Sequence, residues 1–479
     1  MAVAMLFVAF ALRAALMPAQ NDTFWHLRAG ADIWATGEIP RVDHYSHTFA
    51  GAPWPDHEWL AQAAMFLVYR VGGMPGLELG ATALVLAAAA LMWRLTVGPL
   101  ATRAIVTLIG LALSSWFWVL RPQVLTLFLL AVLLTMLVRE RYRLIPVLFL
   151  IWANAHGGVV LGGLVLAAAW AAAVLRAWRA RGAVTPADRR RVRTLSIVVP
   201  LAGLACAASP LGFGIYRFVI ESTARSIAVR ITEWFPVLPT DAFGVLFWLA
   251  VLGLVAAIGA RHRRFVDGRA SWAEWVTVVT ACALMPLAIR SQRNTSPFTL
   301  FAIPAASQVL GADFRFSSLF ARFRRARPPN PRPADPDRPR LNLAMLGLMG
   351  AVAIALAGSA YASGLDRLNW RPIDPRALAA ARACEGPLYN HYDDGGTLIW
   401  FLPEKPVFVD GRQDPYPLEF LIEHVAVEAG ERPYRPLLDR FHVRCAFLPI
   451  KSPTVAGLDR DGWISRYRDD KWAVLEAPR

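Results

Sequence analysis

Long apolar runs separated by short Arg-rich segments dominate this chain, and only a bilayer accommodates that pattern. A membrane span takes about 20 apolar residues. That ruler finds runs near 1–19, 75–93, 104–120, 122–138, 144–156, 157–175, 194–212, 242–260, 272–289, 296–310 and 341–361, an expected count of about 11 spans. With 56% of 479 residues apolar or aromatic and a mean hydropathy of +0.40, a soluble multidomain enzyme and a disordered chain are both excluded. The first run lacks a basic leading segment, and Leu16-Met17-Pro18-Ala19 is a poor cleavage site. It reads as a retained span rather than a signal peptide, with room for a start upstream of Met1.

The net charge of +15 resembles a nucleic-acid signature, but its distribution excludes that partner. Residues 366–479 hold 18 acids and 16 bases, so the excess lies in the membrane part. Segments 94–103, 139–143, 176–193, 261–271 and 311–340 are Arg-rich. With eleven spans they share one side, which the positive-inside rule makes cytoplasmic. The other side receives 20–74, 213–241 and the C-terminal region. The expected organisation is a multispanning α-helical membrane domain over 1–364, with a first outer loop at 20–74 and a cytoplasmic Pro/Arg-rich linker at 311–340. A small extracytoplasmic α/β domain follows over 365–479. In it, Pro406–Val409 and Cys445–Ile450 read as strands, 416–429 and 434–441 as helices, and Asp469–Lys471 as a late hairpin. Cys206 and Cys282 lie inside spans. Cys384 and Cys445 share the outer domain, where a disulfide is allowed and the sequence leaves bridge and free thiols open.

The first outer loop concentrates titratable groups: Asp22, His26, Asp32, Asp43, His44, His47, Asp56, His57 and Glu58. A helix from near Thr23 has an apolar stripe at Phe24, Leu27, Ala31 and Trp34 and should lie on the membrane surface. Asp22 at its start reads as a cap; its place directly after the first span is what points to function. Asp56 precedes a second surface helix, Leu60 to Val71, that breaks at Gly72–Gly76. Asp43, His44 and His47 could hold a divalent metal, although not at a recognised zinc spacing. Further polar groups interrupt apolar runs on the same face: Arg121-Pro122-Gln123, Asn154-Ala155-His156, Glu233-Trp234 and Arg290 to Asn294. Such groups at membrane depth face a cavity or each other. Arg290 and Arg293 stand three apart on the side where topology disfavours Arg. On a continuing helix they would share a face and suit a phosphate.

The stretches Asn21-Asp22-Thr23-Phe24-Trp25-His26, Trp54-Pro55-Asp56-His57-Glu58-Trp59, Trp152-Ala153-Asn154-Ala155-His156-Gly157-Gly158, Tyr389-Asn390-His391-Tyr392-Asp393-Asp394-Gly395-Gly396 and Val409-Asp410-Gly411-Arg412 carry a resemblance. The sequence resembles a bacterial group of multispanning proteins related to GT-C-type glycosyltransferases, among them protein mannosyltransferases and lipid A-modifying transferases. The resemblance implies a bacterial inner-membrane enzyme with a cytoplasmic N-terminus, moving a sugar from a polyprenyl-phosphate donor to a lipid, glycan or protein on the outer face. It implies an acid after the first span as general base or its organiser. Asp22 holds that place, where many relatives have an Asp-Glu pair, with Asp43 and Asp56 as substitutes. Arg121, Arg290 and Arg293 are then the phosphate candidates, and His26, His57, Glu58, Asn154 and His156 shape the cavity. No cofactor is required by this reading, a divalent metal stays open, and membrane lipid is the other expected partner. The rival readings are a transporter of lipid-linked glycans and a non-catalytic envelope assembly protein. In the latter, Asp394-Gly395-Gly396 and Asp410-Gly411-Arg412 are turns.

Overall fold

The structure is a computed structural model describing residues 2–180, 184–311, 314, 339–363 and 367–478. In chain order its membrane part comprises α1 (Ala2–Ala14), α2 (Asn21–Thr36), α3 (Trp59–Arg94), α4 (Leu100–Ser114), α5 (Gln123–Val138), α6 (Ile145–Ala153), α7 (Val159–Arg179), α8 (Pro186–Cys206), α9 (Gly214–Ala228), α10 (Ala242–Val266), α11 (Trp272–Arg290), α12 (Thr295–Leu310) and α13 (Pro339–Ala362). Every apolar run of the sequence is helical. Length supports fewer crossings than run counting does. Among the described residues, 6 helices are long and apolar enough to cross a membrane: α3, α4 with the turn after it, α7, α10, α11 and most of α13. The nine residues of α6 rise only about 14 Å, roughly half a bilayer core. The chain is a multi-pass membrane protein, and eleven spans are not established. The Pro/Arg-rich linker at 311–340 lies almost wholly outside the described residues.

The centre of the bundle is α5, which has no polar face. Leu130, Leu133, Leu134 and Leu137 are fully buried among α3, α7, α11 and α12. A helix apolar all round belongs at such a position. As expected, α3 breaks after Val71: Gly73 adopts φ 60° and ψ −155°, which glycine reaches at little cost. The stripe on α2 does not lie free on a membrane surface. Phe24 and Leu27 are fully buried, and Trp34 Nε1 donates to Ala63 O of α3 at 2.9 Å.

The C-terminal part contains α14 (Pro375–Ala383), β1 (Leu388–Asn390), α15 (Gly395–Phe401), α16 (Leu418–Glu428), α17 (Arg435–Arg440), β2 (Cys445–Pro449), α18 (Pro453–Arg460), β3 (Ile464–Arg468) and β4 (Trp472–Glu476). The sheet order is β1-β2-β4-β3, with β1 parallel to β2 and the other pairs antiparallel. Cys384 and Cys445 are disulfide-bonded, their Cα atoms 5.9 Å apart. Of Pro406–Val409, the last three residues are buried, but the segment joins no sheet. Its backbone pairs instead with the first loop: Val407 N donates to Tyr45 O (2.9 Å) and His47 N to Val407 O (3.0 Å).

A buried ion cluster completes this junction. Arg412 Nη2 donates to Asp43 Oδ1 and Asp410 Oδ2, both at 2.7 Å, and Nε to Asp410 Oδ1 at 2.8 Å. The guanidinium lies over the rings of Trp54 (4.5 Å) and Tyr45 (4.8 Å) of the first loop. Nearby, the glycines read from sequence as turn residues serve close approach. A Cβ on Gly396 would overlap the Asn21 backbone, and one on Gly411 would overlap the Asp22 carboxylate. Gly396→Ala and Gly411→Ala should each cost about 1–3 kcal/mol, as overpacking does. Gly163→Ala, which meets nothing within 4 Å, should be neutral or slightly stabilising. Thermal unfolding in detergent measures this; equal midpoints for all three variants contradict the close-packed junction.

Candidate active site

A cavity of about 970 Å³ lies between the start of α2, the polar junctions at 121–123 and 156–161, α9, and C-terminal residues around 391–393, 411–414 and 424–429. Gln20, rather than Asp22, is the N-cap of α2. Gln20 N donates to Thr23 Oγ1 (3.0 Å), and the Thr23 hydroxyl donates to Leu120 O (2.7 Å), so the start of α2 is fixed to the 115–122 junction. The Asp22 carboxylate is thereby free to face the cavity. It is 2.9 Å from Arg121 Nη1 and accepts from Trp25 Nε1 at 3.1 Å. Burial raises its pKa, opposed by Arg121 and Trp25.

Two more charges continue this line. Glu233 Oε1 lies 2.9 Å from Arg293 Nη1 and 3.9 Å from Arg121 Nη1. Burial raises Glu233, but Arg293 and Arg121 win and hold it below the usual carboxylate value. Arg293 also lies 5.2 Å over the Trp234 ring. The expectation that Arg290 and Arg293 share a helical face fails, because α11 ends at Arg290 and Ser291 is extended (φ −147°, ψ 124°). Both still line the cavity, and among the described residues Arg290 has no ion-pair partner.

A second cluster surrounds Glu58. Its carboxylate lies 3.5 Å from His156 Nε2, 3.6 Å from His26 Nε2 and 3.8 Å from His57 Nε2. His156 Nδ1 accepts from Gly158 N at 2.9 Å, which leaves the ring proton on the Nε2 that faces Glu58. Asp56 lines the same region and accepts from Gln62 Nε2 at 2.9 Å. Burial pushes Asp56 to about 7; burial and then Asp56 push Glu58 to about 8; burial lowers His57 to about 4. The group is thus near neutral charge at pH 7 despite its polarity.

Two expected site residues are not in the cavity. Asp43 is locked against Arg412 and accepts from the Tyr45 and Ser46 backbone. Asn154 is spent on packing: Oδ1 accepts from Trp59 Nε1 (2.9 Å), and Nδ2 donates to Leu150 O and Ala208 O. The metal reading of Asp43, His44 and His47 is corrected. His44 Nε2 turns to Asp32 (3.4 Å) and His47 Nε2 to Leu388 O (2.9 Å), so the three do not converge. Among the described residues, no three His, Cys, Asp or Glu side chains are disposed to hold a metal. The sequence reading missed α9, Tyr392, Arg412 and Asp414 as cavity walls. Ile215, Phe218, Val219, Ser222, Thr223 and Ser226 recur at helical spacing on one face, and that was the available signal for α9.

No family model and no curated protein matches the chain. Solved structures do. The oligosaccharyltransferase of Archaeoglobus fulgidus, tethered to an acceptor peptide, superposes with a TM-score of 0.55 at 12% identity, covering 94% of this chain and 69% of that one. The oligosaccharyltransferase AglB from Archaeoglobus fulgidus, in complex with an inhibitory peptide and a dolichol-phosphate, gives 0.55 at 11% identity, covering 93% and 69%. Apo ArnT from Cupriavidus metallidurans gives 0.50 at 16% identity, covering 99% and 98%. These are GT-C glycosyltransferases. The chain therefore shares the fold of these GT-C glycosyltransferases, the fold that the sequence resemblance implied.

The perturbed carboxyls generate a pH dependence. Asp414 joins Asp56 at about 7, again through burial, and Glu58 stands at about 8. Above about pH 7 the imidazoles are largely neutral in folded and unfolded chains alike. These carboxyls still hold protons in the folded protein, whereas in the unfolded chain they are already ionised. The folded state binds more protons, so stability falls as pH rises. The unfolding midpoint should be lower at pH 8.5 than at pH 7, and Glu58→Gln should flatten that slope. A flat wild-type profile contradicts the assignment.

Proposed function

We propose that this protein is a glycosyltransferase that moves a sugar from a polyprenyl-phosphate donor to an acceptor hydroxyl on the outer face of a bacterial inner membrane. The observation that carries this reading is the Asp22–Arg121 pair in a cavity that also exposes the unpaired Arg290. A lipid-linked donor brings one phosphate and one apolar tail. Arg at a cavity rim suits the phosphate through its planar fork, and the apolar bundle suits the tail. The dolichol-phosphate in the AglB structure is consistent with this donor class.

In the reaction, the acceptor oxygen attacks C1 of the sugar, the C1–O bond to phosphate breaks, and polyprenyl phosphate leaves. The acceptor proton passes to a carboxylate, for which Asp22 is the choice. Without donor, Arg121 neutralises Asp22 and Arg293 neutralises Glu233. A phosphate held first by Arg290 competes for Arg121 and loosens its hold on Asp22, so base strength rises when donor is present. Asp43, buried in the Arg412 cluster, is set aside as a base; Asp56 remains the substitute.

The test is incubation of purified protein with a panel of polyprenyl-phosphate sugars and measurement of released polyprenyl phosphate. Wild type should release it with one donor. Asp22→Asn should lower release at least 100-fold, within the range for loss of a general base, with its unfolding midpoint nearly unchanged. Arg290→Lys should weaken donor binding several-fold and Arg290→Ala more. Full turnover in Asp22→Asn, or unchanged donor affinity in both Arg290 variants, contradicts these roles.

A further inference from the structure

A second cavity of about 440 Å³ adjoins the first, and Asn21 and Asp393 line both. Its remaining walls are chemically unusual for this chain. Of the 50 basic residues only three are Lys, and two of them, Lys451 and Lys471, are here. Neither forms an ion pair among the described residues. They are joined by Asp394 and Asp470. Asp394 Oδ2 is shielded from solvent and has no hydrogen-bond partner. Trp472 forms a fixed wall, its ring 4.9 Å from that of Phe447 and its Nε1 donating to Pro372 O at 3.3 Å.

This mixture selects among ligands. Burial pushes Asp394 toward its neutral form, which leaves Asp393 and Asp470 against two ammonium groups, a balance that favours neither a phosphate nor a cation. A hydroxyl-rich neutral molecule satisfies both, since each hydroxyl donates to a carboxylate and accepts from an ammonium. The indole wall offers a face for sugar C–H groups, and the volume lies within the range of small-ligand sites, about 300–1,000 Å³. Asn21 and Asp393 line both cavities, so the second opens toward the first at the start of α2, the helix that carries Asp22.

We propose that this second cavity seats the non-reacting sugar units of a neutral oligosaccharide acceptor. The inference rests on the transferase reading for the word acceptor, but its binding arm does not need turnover. The experiment is saturation-transfer difference NMR on the full chain in nanodiscs, with N,N′-diacetylchitobiose and maltotriose as probes and glucose 6-phosphate as an anionic competitor. At least one neutral probe should receive saturation from wild type and from Asp22→Asn, and at least fivefold less from Asp394→Asn/Asp470→Asn. Lys451→Ala/Lys471→Ala, at exposed positions, should lose saturation likewise and serves if the carboxylate variant misfolds. No saturation in wild type, equal saturation in the folded variants, or stronger binding of glucose 6-phosphate overturns the inference. Sugar binding without release of polyprenyl phosphate contradicts the transferase reading alone; release without sugar binding contradicts this inference alone.

Discussion

The buried Arg412 guanidinium, held between Asp43 of the first loop and Asp410 of its own domain, is the interaction on which the rest of the architecture depends. All three side chains are fully buried, so each would be costly alone; removing one partner of such a cluster typically costs about 3–5 kcal/mol. Burial lowers the Arg412 pKa, but Asp410 and the other acids around it raise it far above its usual value. The charge is permanent. Through it, the C-terminal domain is fixed to the loop that carries every acidic candidate of the site, and Gly411 is pressed against Asp22. Arg225 of α9 adds a second tie, donating to Tyr416 O at 2.8 Å. The C-terminal wall of the cavity is therefore tied to the first loop and to α9 by buried polar contacts.

Within that frame the polar groups divide into two electrostatic regimes. Around Asp22, carboxylates and guanidinium groups alternate: Asp22, Arg121, Glu233, Arg293. This line is built of ion pairs, which an incoming anion would compete for. Around Glu58, burial without an adjacent cation drives carboxyls and imidazoles toward their neutral forms. The two regimes lie in one cavity, which therefore has one half lined by ion pairs and one half held near neutrality.

Much of this was legible in sequence, and the failures have physical causes. Apolar runs identified the membrane-part helices other than α2, which showed as an apolar stripe, and α9, because an apolar run in lipid must be helical. They did not yield the crossing number, because α6 is apolar yet too short to span. Asp22 and Glu58 were reachable because the first outer loop concentrates titratable groups, and Arg121, His156 and Arg290 because polar residues that interrupt apolar runs stand out. Asp43 and Asn154 looked equivalent by those two criteria. Their separation from the cavity depends on Arg412 and Trp59, partners whose positions only the folded chain defines. The same holds for Gly396 and Gly411, whose role is proximity to α2 and not a turn. Pro406–Val409 has strand composition but pairs with a loop more than 350 residues away, and no local pattern encodes that partner.

The central claim is that the phosphate of a polyprenyl-linked donor binds beside Asp22 beneath the C-terminal domain. A cryo-EM map of the protein with polyprenyl phosphate in nanodiscs addresses it directly. The account predicts phosphate density in the cavity against Arg290, on the membrane side that carries the first loop and the C-terminal domain, with the tail running along the bundle. Phosphate density on the opposite membrane face, or outside the cavity lined by Asp22 and Arg121, would contradict it.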